Sequence, residues 1–333
     1  VTRALTFVAL PAAPDGSGYY RLYLPFKHLA ANSRHLAMIP PPGRTPPMPA
    51  PADMEGVDTF IAQRPVGPLG MRTWDALEGV CARVYETDDD LLSADPSALP
   101  HLTPERVKES VRYMLYAAEM VTVCSDFLAE EYSRFSGRIR VLPNMVSADL
   151  LDLNRRRGRE GRVTVGWAGG QSHLPDWAQH ADTIAGVLRR HPVTDMHFVG
   201  ADYSPLLHLP CLWTGWTDDI WEYYRAVDFD IGLAPLAGIK FNYSKSSLKA
   251  LEMAALGIPV IATNMPPYAG FVEDGVTGYL VSSPEEWDKR LTELICDGDA
   301  RAEMGANARA KAAAHTIQGN WKLWEDAYTD AAR

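Results

Sequence analysis

The chain has 333 residues, too many for one ordinary core, which points to two domains of about 150 residues each. Hydrophobic residues make up 47% and charged residues 22%, so full-length disorder, collagen and coiled coil are excluded. Acids outnumber bases 42 to 32, giving a net charge of −10, which disfavours non-specific nucleic-acid binding while leaving room for a local basic groove.

In chain order, residues 5–10 predict a strand, 19–31 a helix and 35–39 a strand. The apolar stretch 5–13 could also pass for a signal-peptide core. One arginine is a poor basic flank, however, and Pro11 and Pro14 interrupt the run, so a buried first strand is the reading preferred. Val1 stands where Met is expected, consistent with a GTG start read literally or with a trimmed end. Residues 40–51 hold seven prolines and predict a semi-rigid surface loop. Strands follow over 59–62 and 82–86, a helix near 104–117, a strand over 120–124, a helix over 126–135 and a strand over 139–142. The second half repeats the alternation: strands over 163–167, 196–199, 229–234 and 259–262, with helices over 177–190, 218–226 and 246–256. Helices over 300–314 and 318–332 end the chain. Alternating strands and helices argue for two parallel sheets in series, each Rossmann-like, with ligands at the carboxyl ends of the strands. Residues 154–162, NRRRGREGR, have no apolar side chain and read as a linker between domains 1–153 and 163–316. A basic lip on an anion-binding cleft is the sharper alternative. Residues 317–333 are expected to pack toward the first domain.

No apolar run reaches the ~18–20 residues that span a bilayer, so no transmembrane segment is expected. The four cysteines, Cys81, Cys124, Cys211 and Cys296, have no metal-ligand or CxxC spacing and read as buried free thiols of a cytoplasmic protein.

Residues 240–263, KFNYSKSSLKALEMAALGIPVIAT, carry the most chemistry. Ser246 or Ser247 is expected to cap a helix that runs through Leu248 and ends at Gly257. Lys245 and Lys249 fall at or near its first turn, where the helix dipole disfavours cations unless an anion binds. Lys245, Lys249 and Glu252 follow i, i+4, i+7 spacing and share one stripe, with Glu252 about 9 Å along the axis from Ser246. That suits a diphosphate at the helix start and a sugar hydroxyl at the carboxylate. An ordinary Lys249–Glu252 surface pair is the plain alternative.

With its flanks, this stretch resembles family 4 of the retaining glycosyltransferases. The segments that carry the likeness are HFVG (197–200), TGWTDDIWEYYRAVDFDIGLAPL (214–236), LEMAALGIPVIAT (251–263), VEDGVTGYLVSSPEE (272–286) and DARAEMGANARAKAAA (299–314). In the first half, DGSGYYRLYLPFKHLA (15–30), MVTVCSDFLAEEY (120–132) and RIRVLPNMV (138–146) are similar too. The resemblance implies a GT-B fold, two Rossmann-like domains facing a central cleft. It also implies a nucleotide-diphosphate sugar donor on the second domain, an acceptor on the first, and retention of anomeric configuration. No cofactor is implied beyond that co-substrate. Glu252 matches the second glutamate of the family's Glu-x7-Glu pair, which binds the donor ribose; the first falls on Ser244, a departure. The family's Arg/Lys pair after the first strand of the second domain is replaced by GWAGGQSHLPD (166–176), where His173 is the one basic candidate. Lys240, Lys245 or Lys249 could supply the missing charge.

Two glycine turns fit the same picture. Gly16 and Gly18, with Arg21 one turn on, and Gly169–Gly170 suit close approach of a phosphate or sugar, although any tight strand-to-helix turn uses glycine. The run Thr87-Asp88-Asp89-Asp90 closes a strand. Asp88 or Asp89 would stand where the family often has a histidine near the reacting carbon. A helix cap or a metal-binding D-x-D pattern are the alternatives. Trp213, Trp216 and Trp221 lie near the implied base site, and at most one is credited with stacking. The lysines and helix start make a metal unnecessary on this reading, so none is expected. The acceptor stays open among protein, lipid, small molecule and DNA, with DNA disfavoured by net charge. A nucleotide-sugar epimerase of the same fold and a non-catalytic nucleotide- or sugar-binding protein are the rivals. A dehydrogenase lacks the acidic ribose anchor expected after GxGxxG.

Overall fold

The structure, a computed structural model, describes residues 3–13, 16–43, 47–94, 104–153 and 161–333. Parts of the proline loop and of the 154–162 linker therefore lie outside the described residues, as does Asp15. Contacts divide the chain into two units. The first holds Val1–Asn144, Ser244–Ser246 and Ile317–Arg333; the second holds Met145–Tyr243 and Ser247–Thr316.

The first unit is built on six parallel strands: β1 (Thr6–Leu10), β2 (Leu36–Met38), β3 (Thr59–Gln63), β4 (Ala82–Thr87), β5 (Met120–Val123) and β6 (Ile139–Val141), in the order β2-β1-β3-β4-β5-β6. β3 and β5 are buried along their whole length, as expected for strands covered on both faces. Their core includes Phe60, Trp74, Tyr85, Val111, Leu128 and Tyr132. The helix Lys322–Ala331 belongs to this unit: Tyr328 packs against Phe7 and Phe26, and its carbonyl accepts from Thr59 Oγ1 at 2.9 Å.

The second unit repeats the plan with β7 (Val163–Gly169), β8 (Thr194–Gly200), β9 (Leu212–Thr214), β10 (Ile231–Ala234), β11 (Val260–Thr263) and β12 (Gly278–Val281). All are parallel, in the order β12-β11-β10-β7-β8-β9. Trp167, Trp177, Phe198 and Tyr203 form its aromatic centre, with Trp177 and Phe198 centroids 4.8 Å apart. Strand order reverses between β1 and β3 in the first sheet and between β7 and β10 in the second. Those are the switch points where parallel sheets open a crevice at their carboxyl ends.

Several elements differ from expectation. Gly16–Gly18 is already helical and runs through a π-type stretch, Tyr19–Tyr23, into the helix Leu24–Asn32. Gly18 is required by packing: a Cβ there would meet the Ala13 carbonyl oxygen at 2.0 Å. The helix expected over 246–256 begins only at Leu248, as Leu248–Ala255. The helices Gly67–Ala76 and Pro284–Cys296 and the short strands β9 and β12 add to the expected set. Of the cysteines only Cys124 is buried; Cys296 is exposed and the other two are partly covered. Among the described residues no helix is long and apolar enough to cross a membrane.

Candidate functional site

At the carboxyl edge of the first sheet, β4 runs out into the acidic turn. Ser17 Oγ donates to Asp88 Oδ2 at 2.8 Å, and Gln63 Nε2, at the end of β3, donates to Ser17 Oγ at 2.7 Å. Arg64 follows Gln63, and its Nη1 lies 3.1 Å from Asp89 Oδ2 and 3.7 Å from Asp88 Oδ1. Lys245 Nζ stands 4.0 Å from Asp89 Oδ1. The two neighbouring carboxyls are driven apart. Burial pushes Asp88 up, but Arg64, Arg21 and the Ser17 hydrogen bond outweigh it and hold the group below the usual range. Burial also pushes Asp89 up, Asp88 adds to the effect, and Lys245 and Arg64 do not cancel it. Pairs split in this way are suited to unlike charge roles. Asp90 is different: it is buried, and its carboxylate accepts from Leu92 N at 3.1 Å and from Ser93 Oγ. It therefore serves the next turn of chain. Among the described residues, no group of three or more His, Cys, Asp or Glu side chains could hold a metal ion.

Arg21 lies beneath this edge. It is fully buried, with Nε 2.6 Å and Nη2 3.1 Å from the Glu86 carboxylate and Nη1 donating to Asn144 Oδ1 at 2.9 Å and to the Leu142 carbonyl. Its expected contact with a donor phosphate is corrected accordingly: the guanidinium is spent inside the first unit. Asn144 Nδ2 in turn donates to Ser246 Oγ at 2.8 Å. Ser125 Oγ donates to the Ser244 carbonyl at 2.7 Å. The segment Ser244–Ser246 is thus tied to the first unit. Lys245 precedes the helix Leu248–Ala255, so the helical stripe joining it to Lys249 does not exist. Ser247 occupies the N-cap position, but its hydroxyl makes no capping bond.

The second unit assembles its own group at the end of β7. Lys249 Nζ donates to the Ala168 carbonyl at 2.6 Å and lies 4.6 Å from the Trp167 ring centroid. Gly169 makes this approach possible: a Cβ there would stand 2.6 Å from Lys249 Nζ and 2.9 Å from Trp167 Cζ2. A Cβ on Gly170 would meet open space, so that glycine is not demanded by packing. His173 lies edge-on to Trp167, with centroids 5.4 Å apart. Its Nδ1 is 2.7 Å from Asp176 Oδ2, while Asp176 Oδ1 accepts from Ala237 N at 2.7 Å and Asn242 Nδ2 at 2.6 Å. Asp176 is 1% exposed. Burial pushes its carboxyl up, yet His173, Ala237 and Asn242 together hold it below the usual range. Glu252 is also buried, 9% exposed, and its charge adds to burial in raising the Tyr223 and Tyr268 phenols. At the ends of β8 and β9, Trp213 and Trp216 are exposed, and Trp213 Nε1 donates to the Gly200 carbonyl at 3.0 Å.

Of the residues singled out from sequence, Asp88, Asp89 and Lys245 come together in the first unit. Gly169, His173 and Lys249 come together in the second. Arg64 and Asp176 were missed. The His-x-x-Asp spacing on one helix start could have signalled Asp176; no local pattern marks Arg64.

The sequence profile described as glycosyl transferases group 1 matches residues 163–297, which begin with β7. TuaH of Bacillus subtilis (strain 168), whose name assigns it to glycosyl transfer in teichuronic acid biosynthesis, is 26% identical over 215 residues, 58% of this chain and 52% of TuaH. A D-inositol 3-phosphate glycosyltransferase of Nocardia farcinica (strain IFM 10152) is 38% identical over 96 residues, 25% of this chain and 21% of that protein. The chain thus matches about half the length, or less, of these curated relatives. The structure of Anabaena HepE in complex with UDP and glucose superposes with a TM-score of 0.68 at 15% identity, covering 97% of this chain and 99% of HepE. The likeness shows the fold. It is α/β with two Rossmann-like sheets, the GT-B class that the sequence resemblance implies.

Proposed function

We propose that the chain is a glycosyltransferase that moves a sugar from a nucleotide-diphosphate sugar to an acceptor hydroxyl, with retention and without a metal. The observation that carries the reading is the Lys249 ammonium at the carboxyl end of β7. It is packed over Trp167 and under Gly169, within the residues that match the glycosyl transferases group 1 profile. Breaking the bond between the anomeric carbon and the donor phosphate leaves negative charge on the diphosphate. A fixed ammonium and the neighbouring His173 imidazole are suited to stabilise that charge. Glu252 serves the ribose, and Gly169 and Gly170 let the donor approach the backbone. Asp88 and Asp89 serve the acceptor or the reacting sugar. HepE was crystallised with UDP and glucose, which makes UDP-sugars the first donors to try.

The test is a thermal-shift screen against nucleoside diphosphates and their sugars. A donor at 100 times its Kd should add about 2.7 kcal/mol of stability. Incubating the stabilising donor without acceptor then separates transfer from epimerisation, since only an epimerase changes the donor sugar alone.

A further inference from the structure

Arg64 has a backbone φ of +49°, in the left-handed region that a residue with a β carbon seldom occupies. The next residue is Pro65, whose ring restricts the preceding residue to extended conformations, so Arg64 is disfavoured twice over. Two contacts accompany this conformation. Arg64 N donates to the Glu86 carbonyl at 2.9 Å, carrying the β3–β4 ladder one residue past the end of β3. The guanidinium reaches both Asp89 and Asp88. The Asp88 oxygen nearer Arg64 is Oδ1, which is buried and accepts no hydrogen bond among the described residues, whereas Oδ2 is held by Ser17. Backbone strain of this kind gathers where a side chain must be aimed.

We propose that Arg64 is a positioning residue of the transfer site: clamped against Asp88 and Asp89, it orients the two carboxylates that serve the acceptor side. The inference rests on the proposed role of those two aspartates. The charged and titratable groups around Asp88 are Arg64 beyond β3, Arg21 from the first helix, Glu86 on β4, Asp89 beside it and the Cys124 thiol after β5, which burial pushes up to about 12. Lys245 faces Asp89. Arg64 is the cation with the largest pull on Asp88, so its loss moves the Asp88 titration to higher pH.

The experiment compares Arg64→Gly and Arg64→Lys with the unaltered chain. Carboxyl-carbon NMR without substrate should show Asp88 titrating at higher pH in R64G and closer to its original position in R64K. With donor and acceptor, R64G should lose roughly tenfold or more in kcat while the donor KM changes by less than about twofold, and R64K should recover part of the loss. Glycine adopts positive φ freely, so R64G is expected to fold without difficulty. An unmoved Asp88 titration in R64G, or an unchanged kcat, overturns the inference. A wild-type chain that consumes no nucleotide sugar defeats the proposed function instead, and the titration arm still judges Arg64.

Discussion

Arg21 and Glu86 are both completely buried, and Arg21 Nε lies 2.6 Å from Glu86 Oε1. Glu86 also accepts from Thr122 Oγ1 at 2.6 Å, so the carboxylate on β4 is tied to β5 as well. Removing one partner strands the other charge in the core. Arg21→Met alone should cost about 3–5 kcal/mol, and the double variant Arg21→Met/Glu86→Leu less than the sum of the two single changes. Urea denaturation of the four proteins measures this. Equal additivity contradicts it.

Lys249 and Gly169 should behave as one device. Lys249→Ala is expected to lower kcat/KM by roughly 10–100-fold, about 1.4–2.7 kcal/mol of lost charge stabilisation. Gly169→Ala places a methyl 2.6 Å from the present Nζ position and must displace it. Its loss should approach that of Lys249→Ala, and the double variant should be little worse than either. Steady-state kinetics on the three variants decides.

Glu252→Gln keeps the shape of a buried side chain and removes its charge. Nucleotide affinity should fall by roughly tenfold, about 1.4 kcal/mol, as read by calorimetric titration. Unchanged affinity would remove Glu252 from the donor site.

Asp176 supplies a pH dependence of stability. Its carboxyl lies below the usual range in the folded chain, so its contribution is present above the unfolded value of about 3.9 and is lost as pH falls through the folded value. Asp176→Asn should therefore lower Tm most between about pH 5 and 7, and the gap to the unaltered chain should close below about pH 4. Melting curves across that range check the sign. A gap that widens in acid contradicts it.

The two sheets were legible because parallel strands buried on both faces read as short apolar runs, TFIAQ and MVTV among them, separated by amphipathic helices. The helix Gly67–Ala76 was hidden by two glycines and a proline in its ten residues, all poor helix formers. The helix Pro284–Cys296 was not hidden: Ser283 Oγ accepts from Glu286 N at 3.2 Å, the Ser-x-x-Glu start that marks a helix in sequence. Starting the helix at 246 and carrying its spacing back to Lys245 produced a stripe that the chain does not form, because periodicity locates a helix better than its ends. Arg21 looked like a ligand group because its position beside a glycine turn is visible in sequence and Glu86, 65 residues away, is not visibly its partner. Arg64 escaped for the same reason, and Asp176, although His173 three residues before it is a local signal, has its other partners far away in sequence. Asp176 meets Asn242 across 66 residues, and such pairs exist only once the sheets have formed.

The central claim is tested most directly by mass spectrometry of nucleotide-diphosphate sugars incubated with the chain, pooled hydroxyl acceptors and excess EDTA. The account predicts that one donor is consumed, that nucleoside diphosphate and a glycosylated acceptor appear in equal amounts, and that Lys249→Ala slows both. Donor consumption that stops in EDTA and returns with Mn²⁺ contradicts the metal-free chemistry, and no consumption of any donor under either condition contradicts the account as a whole.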